Sequence, residues 1–362
     1  SSINNNTLNS YINFKFDIEE KVARVGENFY DTLQEAINSV PKNNTETTVE
    51  LLKDTSEVLT VAANQNIKFI LNNNTISNSG NNPVLNNNGT ISISDGNITS
   101  DASTNGILNN QSTGKLTISG GRFTASGGRQ VLYNNGGNAE IKGNAHLESS
   151  TADRATVTNV NANSNLAITG GTIISTGTSA VSNAGNLTIG TKDGDTDEST
   201  PTIQGYKYAI DSTNNKKYNF YNGTLKGYTK AVNADNLIDD IEEGYSVASS
   251  EEQISGKIYK TRFLAETYKV TFNATGGSVV PETKNVTYDE TYGELPSPVK
   301  RGYTFQGWYD AEVSGTLIEE DTKVEITEDQ VLYAHWKANS ITIASSEIEN
   351  TTYIYDGKAK TP

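Results

Sequence analysis

The run TKDGDTDEST sets Asp193, Asp195 and Asp197 at alternate positions with Glu198 beside the last. Alternating carboxylates in a loop supply the hard oxygen ligands that suit Ca²⁺. The glycine and closing glutamate of a helix–loop–helix calcium site are missing at their spacing. The three aspartates are therefore candidate metal ligands, with a solvated insertion loop as the competing reading, and no other cofactor is expected. The chain has two histidines, His146 and His335, and no cysteine, so thiolate metal sites and disulfides are excluded. His146 directly precedes the apolar Leu147 and is expected to point outward, with no second histidine near enough in sequence to share a metal. Triplets such as Asn88-Gly89-Thr90 are glycosylation acceptors in a eukaryotic secreted chain and turn-to-strand junctions otherwise.

The elements that would position these groups are set by an unusual composition. Only 34% of the residues are hydrophobic, and Asn, Ser, Thr and Gly dominate the first two thirds of the chain. A compact globule is poorly served by so few apolar side chains, whereas a repeat fold buries a few per unit against its neighbours. The formal net charge of −15 opposes binding to phosphate backbones, so nucleic acid is not an expected partner. No transmembrane run or signal peptide is visible. The chain reads as an excised piece of a longer protein.

Three apolar marks recur at intervals of about 20–30 residues. The first is Leu71, Ile93, Ile118, Ile141, Ile168, Ile189 and Phe220. The second is Ile76, Ile98, Phe123, Leu147, Ile173, Ile203 and Leu225, and the third is Leu85, Leu108, Leu132, Val157, Val181, Ile210 and Val232. The segments between Gly or Asn corners are short, alternate with period 2 and are rich in Ile, Val and Thr, which excludes a helical solenoid. A propeller blade needs a longer period. The fold class that fits is mainly β: a right-handed parallel β-helix of at least seven coils. A short capping helix at its N-terminal end starts with Asp31 as N-cap and stops at Pro41. The segments 48–52 and 58–62 are expected as strands of that cap, and 237–265 as the closing cap. Asn86, Asn109, Asn159, Asn183 and Asn233 follow the third mark, which suggests stacked amides bonding from coil to coil. A ligand-binding row of the same amides is the alternative.

The segment from Tyr268 to Asn339 differs in kind, being aromatic and free of the repeat. Its Val270–Gly277 stretch, Tyr288 and Tyr292, the run containing Pro296, Pro298, Gly302, Tyr303, Phe305, Gly307 and Trp308, and the closing Trp336 closely resemble the Listeria–Bacteroides repeat, the B-repeat module of internalin-type surface proteins. The resemblance implies a small β-grasp-like domain. Trp308 and Trp336 are read as its core, with an aromatic sugar platform as the sharper alternative. The YDGKAKTP end resembles the opening strands of bacterial Ig-like modules. The expected domains are a lead-in at 1–19, the β-helix with caps at 20–265, the repeat module at 268–339 and the start of a truncated Ig-like module at 340–362.

The solenoid resembles the pectate-lyase-like parallel β-helices, some of which cut polysaccharides. That chemistry requires acids clustered at one offset in neighbouring coils, with a basic residue near the substrate. Arg122, Arg129 and Arg154 share no offset, and the coils between Leu71 and Ile118 carry only Asp95 and Asp101 as acids. The expected function is that of a bacterial multi-module surface protein, an extracellular, cell-wall-attached adhesin or stalk of Gram-positive type. It would be monomeric, with no membrane span in this piece, and would display a rod to a host protein or glycan. A carbohydrate-active β-helix enzyme and a passive spacer are the alternatives.

Overall fold

The structure, a computed structural model, describes residues 20–80, 82–101, 106–192 and 200–340. The lead-in at 1–19, the aspartates at 193–197 with Glu198, and the expected Ig-like start from 341 lie outside the described residues. The chain divides into two compact units at Leu264/Ala265.

Unit 1 is a β-solenoid of about 8 turns. Each turn contributes one strand to each of three parallel sheets. The first sheet runs from Glu46–Leu51 through Asn66–Ile70 to Ile238–Ile241, the second from Thr55–Ser56 to Thr224–Gly227, and the third from Leu59–Val61 to Ile210–Ser212. Apolar residues alternate inward because side chains of a strand point to opposite faces by turns. Ile93, Ile118, Ile141, Ile168, Ile189 and Phe220 stack in register in the first sheet, all essentially inaccessible to solvent. The second and third marks also pair coil to coil as the repeat predicts, from Ile76 to Leu225 and from Leu85 to Val232.

The first mark is displaced at its start. Phe69, not Leu71, is in register with Ile93, while Leu71 fills the corner beneath Gly96. The segments expected as cap strands are themselves the first coil: Glu46–Leu51 pairs parallel with Asn66–Ile70, and Leu59–Val61 pairs with Leu85–Asn87. Polar residues separate their apolar positions, so they lack the Gly corners that mark the later coils.

The capping helix α1 spans Leu33–Ser39, and Thr32 rather than Asp31 is its N-cap, accepting from the Glu35 amide at 3.1 Å. The Glu57 carboxylate takes the next two free amides, Leu33 at 2.9 Å and Gln34 at 3.0 Å, where the helix dipole favours a negative charge. Gln34 then reaches the first strand of the third sheet, accepting from the Thr60 amide at 2.7 Å and donating to its carbonyl at 3.1 Å. Leu33, Ala36 and Ile37 seal the end of the core. At the other end the strand Lys257–Asn273 pairs antiparallel with Thr224–Gly227, which ends the parallel stacking of the second sheet.

An amide ladder runs inside the corner that follows the third sheet. Asn87 donates to Asn110 at 2.8 Å, Asn110 to Asn134 at 2.8 Å, Asn134 to Asn159 at 2.9 Å and Asn159 to Asn183 at 2.9 Å. Each Nδ2 up to Asn159 also donates to a main-chain carbonyl at the start of a first-sheet strand, as Asn134 does to Asn165 at 2.9 Å. Asn159 and Asn183 were expected here. Asn86 and Asn109 are one residue out: the buried partners are Asn87 and Asn110, because the period of 2 turns the residue next to the apolar mark outward. Asn233 instead bonds the main chain of Ser212, and Asn134 is a member that the expected row omits.

Unit 2 is built from strands among the described residues. The Lys257–Asn273 and Gln330–Ala338 strands form a central parallel pair, flanked by Thr283–Thr287 on one side and by Tyr303–Tyr309 with Leu317–Ile318 on the other. Trp308 is 1% exposed at its centre, against Phe272 at 4.9 Å between ring centroids, and its Nε1 donates to the Pro296 carbonyl at 2.8 Å. Trp336 is half-buried and donates to the Ala274 carbonyl at 2.9 Å.

Three substitutions check this architecture. Asn134→Ala should lower the stability of unit 1 by about 2–4 kcal/mol in urea unfolding, because it removes the bonds to Asn110, Asn159 and the Asn165 carbonyl and takes away the donor to the buried Asn159 Oδ1, while Asn86→Ala stays within about 0.5 kcal/mol. Trp308→Ala should cost unit 2 about 3–5 kcal/mol through the lost packing. A sugar platform made of Trp308 would leave the unfolding midpoint where it is.

Candidate functional site

The outward positions of the first sheet form regular rows. One row is Thr90, Lys115, Asn138, Asn165 and Asn186, in register from coil to coil. Its three asparagines are exposed, and Asn165 donates to Asn138 at 2.8 Å while Asn186 donates to Asn165 at 2.9 Å. The second row is Ser92, Thr117, Glu140, Ala167 and Thr188. Ala167 is the small member. Around it the surface sinks into an open furrow of about 390 Å³ that shares Asn186 and Thr188 with a second depression of about 520 Å³, where Asn214, Lys216 and Asn219 take over.

Asn165 donates to Asn138 and to the Asn163 carbonyl at 3.3 Å and keeps a carbonyl lone pair, while Asn138 at one end makes its row bond through its carbonyl alone and Asn186 at the other through one N–H alone. The furrow is thus a repeating series of donor–acceptor pairs at the spacing of parallel strands, about 4.8 Å. Some of its lining charges are paired locally, while Lys115 and Lys216 have no carboxylate partner among the described residues. Glu140 lies 3.3 Å from Lys142, and Lys217 lies 3.1 Å from Asp239 at the far end. Glu140 is the one carboxylate among the described residues lining the first depression, so the pair of carboxylates that glycoside hydrolysis uses is not assembled there. The arrangement suits binding of a polar, uncharged, repeating ligand.

Several charged residues elsewhere in unit 1 are paired. Across the second sheet, Arg122 bonds Glu148, and His146 Nε2 sits 3.3 Å from the same carboxylate. His146 points outward, as the alternation predicts, and its one carboxylate neighbour is already shared with the guanidinium. In the last strand of the first sheet, Asp240 accepts from Lys192 and from the Tyr221 hydroxyl, each at 2.9 Å. These two hydrogen bonds hold the Asp240 carboxyl below its usual range, and the same contact raises Lys192. Among the described residues no group of three or more His, Cys, Asp or Glu side chains could hold a metal ion. In unit 2, His335 stacks on Tyr309 with centroids 3.9 Å apart.

The exposed amide row lies on the first sheet, away from the third mark whose asparagines are the expected row. Its signal is present: NAEI, NLAI and NLTI open three successive first-sheet strands with Asn directly before a buried position.

Three relatives are similar to parts of this chain. Internalin H of Listeria monocytogenes serovar 1/2a is 30% identical over 144 residues, 39% of this chain and 24% of its own length. Two proteins of Evansella cellulosilytica, named "Putative membrane protein" and "Putative Gly-rich membrane protein", are 32% identical over 93 residues and 26% identical over 134 residues. These alignments span less than a quarter of the relatives' lengths, at 24%, 14% and 15%. None of the three bears an enzyme's name, and the set points to a surface-associated protein. Among the described residues no helix is long and apolar enough to cross a membrane. Residues 268–335 match the Listeria-Bacteroides repeat domain, so the second unit contains a member of that family, joined to a β-solenoid as in a multi-module surface protein.

Proposed function

We propose that this chain is the ligand-presenting part of an extracellular, cell-surface adhesin, and that the first sheet of the solenoid binds an extended, uncharged glycan of a host surface. The observation that carries the reading is the exposed row Asn138–Asn165–Asn186 beside the furrow at Ala167. A glycan chain offers hydroxyl donors and acceptors at repeating intervals, and the amide row offers their complements without a net charge to select an ion. The internalin relative and the repeat domain support the surface setting. The unlined carboxylate pair favours retention of the ligand over its cleavage.

The test is saturable binding of the full chain to panels of neutral host glycans and extracellular proteins, with release of reducing ends followed in parallel. Ala167→Gln, which fills the furrow from an outward position, should weaken glycan binding about ten-fold or more, equivalent to about 1.4 kcal/mol, and leave the melting temperature unchanged. Release of oligosaccharide products would make the protein an enzyme. Tight binding that ignores Ala167→Gln would move the site elsewhere, and a folded chain that binds nothing would be a spacer.

A further inference from the structure

The final coils carry a surface feature that the earlier ones lack. The residue that follows each second-sheet strand, at the corner leading to the third sheet, is Asp101, Ser126, Ser150 and Thr176 in successive coils, then Tyr206 and Tyr228. The register is shown by the corner hydrogen bonds, Tyr206 amide to Ser175 carbonyl at 2.9 Å and Tyr228 amide to Gly205 carbonyl at 3.3 Å. A repeated motif, GYKYAI and then GYTKAV, places the two rings one coil apart. Glycine is required before each tyrosine, since a Cβ at Gly205 would lie 1.7 Å from the Tyr208 carbonyl oxygen and one at Gly227 would lie 1.7 Å from that of Lys230.

Stacked coils put the rings face to face, with centroids 5.4 Å apart and planes 26° from parallel. Tyr259, from the antiparallel closing strand, extends the column at 5.9 Å from Tyr228. Burial, followed by the neighbouring phenols of Tyr206 and Tyr228, pushes the Tyr259 hydroxyl up. Tyr206 and Tyr228 remain 36% and 40% exposed. The exposed Lys257 places its Nζ 4.6 Å from the Tyr206 centroid and 5.6 Å from that of Tyr228. Lys207, next to Tyr206, lies over Tyr208 at 5.1 Å.

Neither ammonium has a carboxylate partner among the described residues. That is unusual here, because the cations around them are neutralised: Lys226 by Glu252, Lys260 by Glu251, and Lys230 and Arg262 by Asp235. In a chain of net charge −15, two unpaired cations beside exposed aromatic rings form a local positive patch. The rings present electron-rich faces, which attract cations and the polarised C–H groups of a pyranose. The ammonium supplies up to three N–H donors for an anion, and an N⁺–H···O⁻ bond is the stronger kind.

We infer that Tyr206, Tyr228 and Lys257 form a second carbohydrate site that recognises a carboxylate-bearing sugar, with the pyranose against the tyrosine column and its carboxylate on Lys257. An acidic peptide would satisfy the ammonium but leave the rings without a matching flat apolar face. The site is separate from the first-sheet furrow and differs from it in ligand charge, so either could fail alone.

Calorimetric titration of the full chain at about 0.15 M salt, where charges more than about 8 Å apart are screened, tests the assignment. The probes are a tetrasaccharide of alternating glucuronic acid and N-acetylglucosamine, its carboxyl-reduced counterpart, and tetraglutamate. The acidic sugar should bind about ten-fold more tightly than the reduced one, the scale of one charge-assisted hydrogen bond. Lys257→Gln should bring that ratio to near unity while leaving the reduced sugar's affinity unchanged. Tyr228→Ala should weaken both sugars, and Tyr228→Phe should keep both, which separates loss of the ring from loss of the fold. Ala167→Gln should change none of these values. Equal affinity for the acidic and reduced sugars, tetraglutamate binding as tightly as the acidic sugar, or no binding to the folded chain at millimolar probe overturns the inference.

Discussion

The buried asparagine ladder is the constraint on which the solenoid depends. An amide in a dry interior must pair all of its polar atoms or give up the desolvation energy of each. Here that requirement is met only when coils are stacked in register, since each Asn draws its partners from the next turn. A one-residue slip would replace the buried amide by its outward neighbour and leave its partners in the adjacent coils unpaired. The ladder thus links five consecutive coils through their third corners. It ends at Asn183, whose Nδ2 finds no acceptor because the next coil offers Ser212.

The same corner explains the glycines of the repeat. The residue before the first-sheet strand is Gly89, Gly114, Gly137 or Gly185 in four of the coils. A Cβ at Gly114 would meet Asn110 Oδ1 at 2.3 Å, and one at Gly185 would meet Asn159 Nδ2 at 2.6 Å. The space that a side chain would fill is occupied by the amide. Before Asn165–Ile168, Ser164 takes the position and its hydroxyl donates to the Asn134 carbonyl at 2.9 Å, so a small polar side chain can be tolerated when it joins the network. Corner chemistry and coil register are one constraint.

The sequence made the solenoid readable because its inward residues obey the strict period of a strand. The second and third marks were in register at every coil. The errors arose where that period is interrupted. Leu71 follows its strand rather than lying in it, so spacing alone could not distinguish it from Phe69. The first coil lacks the Gly corners because it meets a helix end, satisfied by Gln65, which donates to the Ile37 and Val40 carbonyls at 2.7 and 2.9 Å. The helix itself was visible from its apolar spacing, but Asp31 and Thr32 both have capping side chains, and only local geometry chooses between them. The outward rows were harder still, since exposed residues are under no packing requirement and need not repeat.

That freedom is what makes the outer face informative. Inside, Ile, Leu and Asn recur because the neighbouring coil demands them. Outside, nothing in the coil geometry requires three successive exposed asparagines, or tyrosines at two successive corners where the earlier coils carry Asp, Ser and Thr. Stacking at about 4.8 Å turns any such repetition into an evenly spaced array. The two arrays differ in character: the asparagines present neutral amides, and the tyrosine column presents partly exposed rings beside an ammonium with no carboxylate partner among the described residues. The parallel sheets supply the spacing, and the residues that packing does not dictate supply the chemistry.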